Sequence, residues 1–372
     1  MKKFIVHYNE IALKGNNRGY FESALVKNLK DKIKGKISKK ESRIVIESEE
    51  NVKEILGNTF GIEWYAPITE VKPNLEEIWE EVKKNSGVYK DKTIKVETKR
   101  SDKGFPIKSM DVSKEIGARI VDEFKNKVKM KNPEVKIYIE IVKDVAYIYF
   151  EKNKGLGGLP VGTAGKVLCL LSGGIDSIVS AFLMMKRGCT VDFLHIHSFY
   201  ENNKVEESKI PKMVKILEKF GNKGKLFLIP YRIFYEKMLP VDPKYEVVMF
   251  RRFIYLLAEK ISKGKYLGIV CGDSLGQVAS QTLENINAIQ GGISAPVFRP
   301  LISFDKMEIV ELAKKIGSFE LSIQEYKDCC SLVAEKHPTT KANKEKVEKF
   351  SKEINIDEVI EQSLKLLICT NE

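Results

Sequence analysis

No Cys-x-x-Cys pair occurs in the 372-residue chain, which excludes a zinc ribbon and a thioredoxin-type dithiol. Its six cysteines have no regular spacing. In a chain of this length they indicate a reducing, cytoplasmic setting, not a disulfide framework. No run of about 18 apolar residues is present, so no membrane span is expected. Met1-Lys2-Lys3-Phe4-Ile5-Val6-His7-Tyr8 turns charged after a short strand-like run and does not read as a signal peptide. Acidic residues are in deficit, giving a formal charge of +12. The excess is uneven, because residues 1–165 hold 33 Lys and Arg against 25 Asp and Glu. Two readings stand: a basic half that meets a polyanion such as nucleic acid, or a lysine-rich surface with no specific partner.

Against these absences stands one dense stretch, Val167-Leu168-Cys169-Leu170-Leu171-Ser172-Gly173-Gly174-Ile175-Asp176-Ser177. An apolar run suits a parallel strand buried on both faces. Two glycines then break it, and Val179, Phe182, Leu183 and Met185 resume at helical spacing. Strand, glycine turn and helix place backbone N–H groups and a helix N-terminus around an anion. Ser172 and Ser177 can add hydroxyl donors. No Lys-Ser or Lys-Thr pair closes the turn, so it is not the loop that grips a γ-phosphate through lysine. The stretch resembles the pyrophosphatase-type loop of adenylating ATP enzymes, which implies splitting of ATP between the α- and β-phosphates.

The remainder reads as three segments. Residues 1–60 form a small α+β unit: a strand at Phe4-Ile5-Val6, a helix from Phe21 to Ile33, an alternating strand at 43–47 and a helix from Asn51 to Phe60. Lys14 and Arg18, in the loop before the first helix, are candidate phosphate contacts, or a solvated loop. Residues 61–165 repeat the theme with helices at Leu75–Lys84 and Met110–Val128 and strands at 93–98, 135–141 and 145–150. Lys99 and Arg100 end the first of these strands and are further candidates for a phosphate contact, or simply exposed charges at a strand end. Five glycines in residues 153–165 mark a turn into the third segment, 166–372. There strands at 167–171, 190–197, 225–230 and 266–272, and the approach to Pro300, alternate with helices at 177–187, 205–220, 247–263 and 307–316. That alternation predicts a doubly wound parallel sheet with its ligand beyond the carboxyl ends of the strands. Gln277, Ser280 and Gln281, after the fourth strand, suit hydrogen bonding to a purine, ribose or phosphate. Asp273 and Ser274 read as helix caps. Cys329 and Cys330 are adjacent, so only one is expected to face a site, unless both bind a metal or cluster from a loop.

Taken together the blocks resemble the tRNA sulfurtransferases that make 4-thiouridine, a family also linked to thiamine thiazole synthesis. The resemblance rests on Glu10-Ile-Ala-Leu-Lys-Gly-Asn-Asn-Arg18, Gly157-Gly-Leu-Pro-Val-Gly162, Leu171-Ser-Gly-Gly-Ile-Asp-Ser177, Gly276-Gln-Val-Ala-Ser-Gln-Thr-Leu283 and Arg299-Pro-Leu301, in that order. It implies an N-terminal ferredoxin-like domain (1–60), a THUMP RNA-binding domain (61–165) and a PP-loop adenylating domain (166–372). It implies ATP contacts from Leu170, Leu171, Ser172, Gly173, Gly174, Ser177, His195, Ile196, Arg251, Gly272 and Gln281, with His195 and Ile196 beside the adenine. Asp176 would assist catalysis with Mg²⁺, and Cys330 would handle sulfur. The implied reaction is attack of O4 of a tRNA uridine, at position eight, on the α-phosphate, followed by displacement of AMP by sulfur. The implied organisation is a homodimer in which one subunit holds the tRNA for the other.

About 40 residues follow Cys330, too few for the rhodanese-like domain that some members carry. Sulfur is therefore expected from a separate donor (a cysteine desulfurase, a rhodanese-type protein or sulfide), or through an iron–sulfur cluster on Cys271, Cys329 and Cys330. Two rival readings remain at this stage: a non-catalytic tRNA-binding protein with a nucleotide fold, and adenylation followed by amine transfer.

Overall fold

Apolar residues at Phe4, Ile5 and Val6 set the first strand, β1 (Lys2–His7), at the centre of an antiparallel sheet. Its neighbours are β3 (Arg43–Ser48) and β4 (Trp64–Pro67), flanked by β2 (Lys36–Lys40) and β9 (Asn153–Lys154) in the order β2-β3-β1-β4-β9. A second sheet has the order β5-β8-β7-β6, with β5 (Thr69–Val71), β6 (Ile94–Arg100), β7 (Val135–Val142) and β8 (Val145–Tyr149). The computed structural model describes residues 1–101, 104–199, 202–326, 329 and 338–370. These fall into two compact units, Met1–Gly157 and Gly158–Glu372.

Within the first unit, helix Leu75–Lys84 starts where the Asn74 side chain accepts from the Glu77 N–H at 2.8 Å, a working N-cap. It buries Ile78, Trp79 and Val82 against Ile116 and Ile120 of helix Ser109–Phe124 and Ile137, Ile139 and Ile141 of β7. The expected helix 110–128 stops at Phe124. Lys125 is left-handed (φ 57°), and the Asn126 side chain donates to the carbonyls of Tyr89 and Lys92 at 2.7 and 2.8 Å, pulling the chain off the helix axis. A cluster of Ile5, Val45, Ala66, Ile68, Val142, Tyr147 and Tyr149 joins the two sheets. Beside it lies a buried ion pair, Arg43 Nη2 to Glu140 Oε1 at 3.1 Å, with His7 Nε2 3.2 Å from the other carboxylate oxygen.

The second unit carries the parallel sheet. Its strands β10 (Lys166–Leu170), β11 (Thr190–His197), β12 (Leu226–Pro230), β13 (Ile269–Val270), β14 (Val297–Phe298) and β15 (Ile368–Cys369) lie in the order β14-β13-β10-β11-β12-β15. Only β15 runs antiparallel, against β12; the other pairings are parallel. The chain moves outward from β10 to β12 and then returns to place β13 on the other side of β10. The switch in direction opens a crevice at the carboxyl ends of β10 and β13, where ligands bind in such sheets. Helix Glu246–Ser262 buries Val248, Phe250, Phe253 and Leu257 in the core beneath that crevice. The helix expected at 205–220 is broken: Ser208 is extended (ψ −175°), and its side chain caps a new helix, Lys209–Glu218, by accepting from the Ile210 N–H. Among the described residues no helix is long and apolar enough to cross a membrane.

Burial alone would raise the Glu140 carboxyl, but hydrogen bonding to His7 and the charges of His7, Arg43 and Lys99 outweigh it and hold the group below its ordinary 4.5. A depressed carboxyl contributes its stability above the ordinary range and loses it as pH falls through the folded value. Glu140→Gln removes the counter-charge of buried Arg43, and we expect it to cost about 3–5 kcal/mol at neutral pH. Urea unfolding should show this as a lowered midpoint, and the gap to wild type should narrow in acid.

Candidate functional site

Two loops meet over the sheet's switch point. The first, residues 171–177, follows β10. Gly173 adopts φ +84°, a left-handed conformation that favours glycine, with the side chains of Ile210 and Tyr326 packed against it. The serines shape this turn. Ser172 Oγ accepts from the Gly174 N–H at 3.2 Å, and Ser177 Oγ accepts from the Ser172 N–H at 3.3 Å. Gly174 then caps helix Ile175–Lys186 with no side-chain acceptor, leaving the first turn's N–H groups for an anion.

The second loop, 271–281, follows β13 and packs backbone against backbone on the first. A Cβ at Gly272 would fall 2.8 Å from Ser177 N and 2.9 Å from the Asp176 carbonyl carbon. Between the loops lies a cavity of about 330 Å³. Leu170, Leu194, Ile196, Phe250, Ile254 and Val278 form its apolar wall; Ser172, Asp176, Ser177, Arg251, Ser280 and Gln281 supply much of its polar lining.

Asp176 joins three elements. Its carboxylate accepts from Gln277 Nε2 and from Lys306 Nζ, each at 2.9 Å, Lys306 opening helix Lys306–Ile316. Gln277 Oε1 and Gln281 Oε1 are both buried without a hydrogen-bond partner. Since both residues line the cavity, they offer acceptors to a ligand's amino or hydroxyl group. Arg251 is held by Asp273 and donates to the Ser280 carbonyl at 3.1 Å. Asp273 also accepts from Arg299 Nε at 3.3 Å and from the Tyr255 hydroxyl at 3.0 Å. Burial would raise the Asp273 carboxyl, but the two arginines and its hydrogen bonds hold it below its ordinary value. Asp273 is thus an anchor for two arginines and not the helix cap expected from sequence. Phe250, Ile254 and Asp273 were not among the expected site residues.

Of the expected nucleotide contacts, Leu170, Leu171, Ser172, Gly174, Ser177, Ile196, Arg251, Gly272 and Gln281 line the cavity, with Asp176. Gly173 and the His195 side chain do not. Alternation along β11 turns Leu194 and Ile196 to the cavity and His195 away, where Nδ1 lies 2.7 Å from the Leu171 carbonyl. His195, expected beside the adenine with Ile196, thus adjoins the cavity by its strand position, with its imidazole buried beneath the turn.

Cys271 sits in the cavity wall, its thiol donating to the Phe298 carbonyl at 3.8 Å and pushed by burial up to about 12. Cys329 is fully buried, its thiol 3.6 Å from the Ile196 carbonyl. Cys330 lies outside the described residues. Among those described, no group of three His, Cys, Asp or Glu is placed to hold a metal.

The basic candidates lie in the first unit. Arg18 is engaged by Glu22 at 2.7 Å and the Tyr8 hydroxyl at 3.1 Å; Lys14 pairs with Glu10 at 3.4 Å. Arg100 donates to the carbonyls of Phe105 and Ile107, bracing a loop, whereas Lys99 is exposed.

Residues 162–356 match the family model described as thiamine biosynthesis protein (ThiI), residues 72–151 the THUMP domain and residues 3–66 the ThiI ferredoxin-like domain. A probable tRNA sulfurtransferase of Thermoanaerobacter sp. (strain X514) is 40% identical over 356 residues, covering 92% of this chain and 93% of the relative. One from Coxiella burnetii is 37% identical over 384 residues, covering 98% and 97%. Among solved structures, a 4-thiouridine synthetase–RNA complex with bound ATP superposes with a TM-score of 0.88 at 32% identity, covering 100% of this chain and 99% of that one. PH1313 from Pyrococcus horikoshii Ot3 gives 0.65 at 26% identity, covering 85% and 100%.

Gly272→Ala tests the loop-on-loop contact. Forcing a methyl group into it should weaken ATP binding by about tenfold or more, at the ~1–3 kcal/mol that overpacking costs. Calorimetric titration with ATP measures this, and unchanged affinity would show that the two loops move independently.

Proposed function

Because the chain belongs to the ThiI family of tRNA sulfurtransferases, we propose that it replaces O4 of a tRNA uridine, at position eight, with sulfur in an ATP-dependent reaction. The observation that carries this reading is the paired-loop cavity. It combines a serine–glycine turn and helix N-terminus for phosphates, an apolar slot for a purine, and two unpartnered glutamine carbonyls.

In this reading the adenine lies against Leu194, Ile196 and Phe250, and the phosphates lie on the N–H groups of residues 172–177. Arg251, fixed by Asp273, sets positive charge beside them. Asp176 is the carboxylate that would hold a Mg²⁺, an ion that commonly takes only one or two protein carboxylates. Bound there, Mg²⁺ would neutralise charge on the phosphates. Lys306 orients Asp176 from the other side. Uridine O4 attacks the α-phosphorus, the bond to the β-phosphate oxygen breaks, and pyrophosphate leaves. The adenylated C4 is then open to a sulfur nucleophile, which expels AMP with the former O4.

We assign sulfur delivery to Cys330. Its neighbour Cys329 is turned into the core with its thiol on the Ile196 carbonyl, which makes Cys329 the poorer candidate of the pair. A persulfide on Cys330, charged by the sulfane sulfur of a separate donor such as a cysteine desulfurase or rhodanese-type protein, attacks C4 through its outer sulfur; free sulfide, already at the reduced level, would attack C4 directly. A second thiol then reduces the disulfide left between enzyme and base and is itself oxidised. The persulfide route is favoured over a cluster on Cys271, Cys329 and Cys330 because the first two thiols are buried donors to backbone carbonyls. Loading a cluster would require both to deprotonate and leave those bonds. The ferredoxin-like and THUMP domains hold the tRNA, and a homodimer would let one subunit present it to the other.

Cys330→Ser tests the assignment. Supplied with ATP, Mg²⁺, unmodified tRNA, cysteine and a cysteine desulfurase, the variant should release pyrophosphate while 4-thiouridine falls by more than about a hundredfold. Wild type should work in air. Thiolation by the variant would remove the sulfur role from Cys330; strictly anaerobic activity would favour the cluster. Absence of tRNA-dependent pyrophosphate from wild type would favour a binding module.

A further inference from the structure

The end of β11 has two faces with different neighbours. Leu194 and Ile196 line the nucleotide cavity. Between them His195 is fully buried, with Nδ1 2.7 Å from the Leu171 carbonyl and Nε2 2.7 Å from the Tyr326 hydroxyl. A carbonyl only accepts, so Nδ1 carries the proton. Burial lowers the imidazole to about 4, so the ring is neutral and Nε2 accepts from the Tyr326 O–H. The result is a directed relay from Tyr326 through His195 to the last residue before the phosphate turn.

Tyr326 also lies against that turn, for a Cβ on Gly173 would come within 3.5 Å of its ring. On one side of Tyr326, buried Lys209 Nζ donates to the carbonyls of Ser322 and Gln324 at 2.7 Å each. On the other, Cys329 Sγ reaches the Ile196 carbonyl at 3.6 Å. Residues 322–326 and Cys329 are thus held at several points, two of them on β11, the strand whose opposite face meets the nucleotide.

We propose that His195 and Tyr326 are positioning residues for sulfur transfer, tying the chain that leads into Cys329–Cys330 to the carbonyl end of the nucleotide turn. The inference rests on the reading of Cys330 as sulfur carrier. Lys209 and Cys329 hold the flanks through contacts of their own. What the Tyr326 hydroxyl adds is register between Leu171, where the phosphate turn begins, and its own position, four before Cys330 in sequence.

The test compares wild type, Tyr326→Phe, His195→Gln and Cys330→Ser as full chains with ATP, Mg²⁺, unmodified tRNA, cysteine and a cysteine desulfurase. Pyrophosphate from the first turnover reports adenylation, and 4-thiouridine reports sulfur transfer. Tyr326→Phe should hold its KM for ATP within about twofold and lose about five- to tenfold in 4-thiouridine formed per pyrophosphate, as expected for one buried hydrogen bond. His195→Gln should show the same fall in that ratio. A role confined to folding would lower both products together and leave the ratio unchanged. A wild-type ratio in Tyr326→Phe, or a raised KM for ATP with the ratio intact, overturns the proposal. Thiolation by Cys330→Ser would instead overturn the sulfur-carrier reading beneath it, so the two failures are distinct.

Discussion

The backbone of Gly272 lies on the backbone of Asp176 and Ser177 with no room for a side chain between them. Everything at the site depends on that contact. It converts two loops, separated by about a hundred residues of sequence, into one cavity, because neighbouring parallel strands β10 and β13 deliver both to the same edge. The glycine turn by itself is an anion site. Residues 271–281 close over it to add Val278 to the apolar wall, two free glutamine carbonyls and the aspartate that fixes Arg251. A purine nucleotide needs the apolar wall, the acceptors and the fixed charge together.

Two of the buried carboxylates, one in each unit, anchor buried arginines. Asp273 holds Arg251 and Arg299 and accepts from Tyr255; Glu140 holds Arg43 and contacts His7. In both cases removing the carboxylate strands a buried guanidinium, which costs far more than losing a surface pair. Their uses differ. Glu140 sits beside the cluster shared by the two sheets of the first unit, whereas Asp273 sets positive charge at the edge of a phosphate site. Arg18 and Arg100 show the same economy on a smaller scale, since each is engaged within the first unit.

What could be read from sequence follows from how local each cause is. The phosphate turn was legible because its causes are adjacent: an apolar strand, glycines where the chain reverses, and a helical period after them. Strand β11 was legible too, at Thr190–His197, and its period of two already sets residues 195 and 196 on opposite faces. That period puts the Ile196 side chain on the cavity wall and the His195 imidazole beneath the turn. Asp273 looked like a cap because its arginines lie 22 residues before it and 26 after it. The end of helix Ser109–Phe124 was hidden for a similar reason, as Asn126 answers to carbonyls of Tyr89 and Lys92. Charge is visible in a sequence; the partner that engages it is not.

The central claim is that ATP bound on residues 171–177 activates a uridine by joining its O4 to the α-phosphate. The most direct measurement uses tRNA whose target uridine carries heavy oxygen at O4, with AMP and pyrophosphate weighed by mass spectrometry after thiolation. The account predicts one heavy oxygen in the phosphate of AMP, none in pyrophosphate, and one AMP for each 4-thiouridine. Unlabelled AMP, or heavy oxygen released as water or inorganic phosphate, would contradict it.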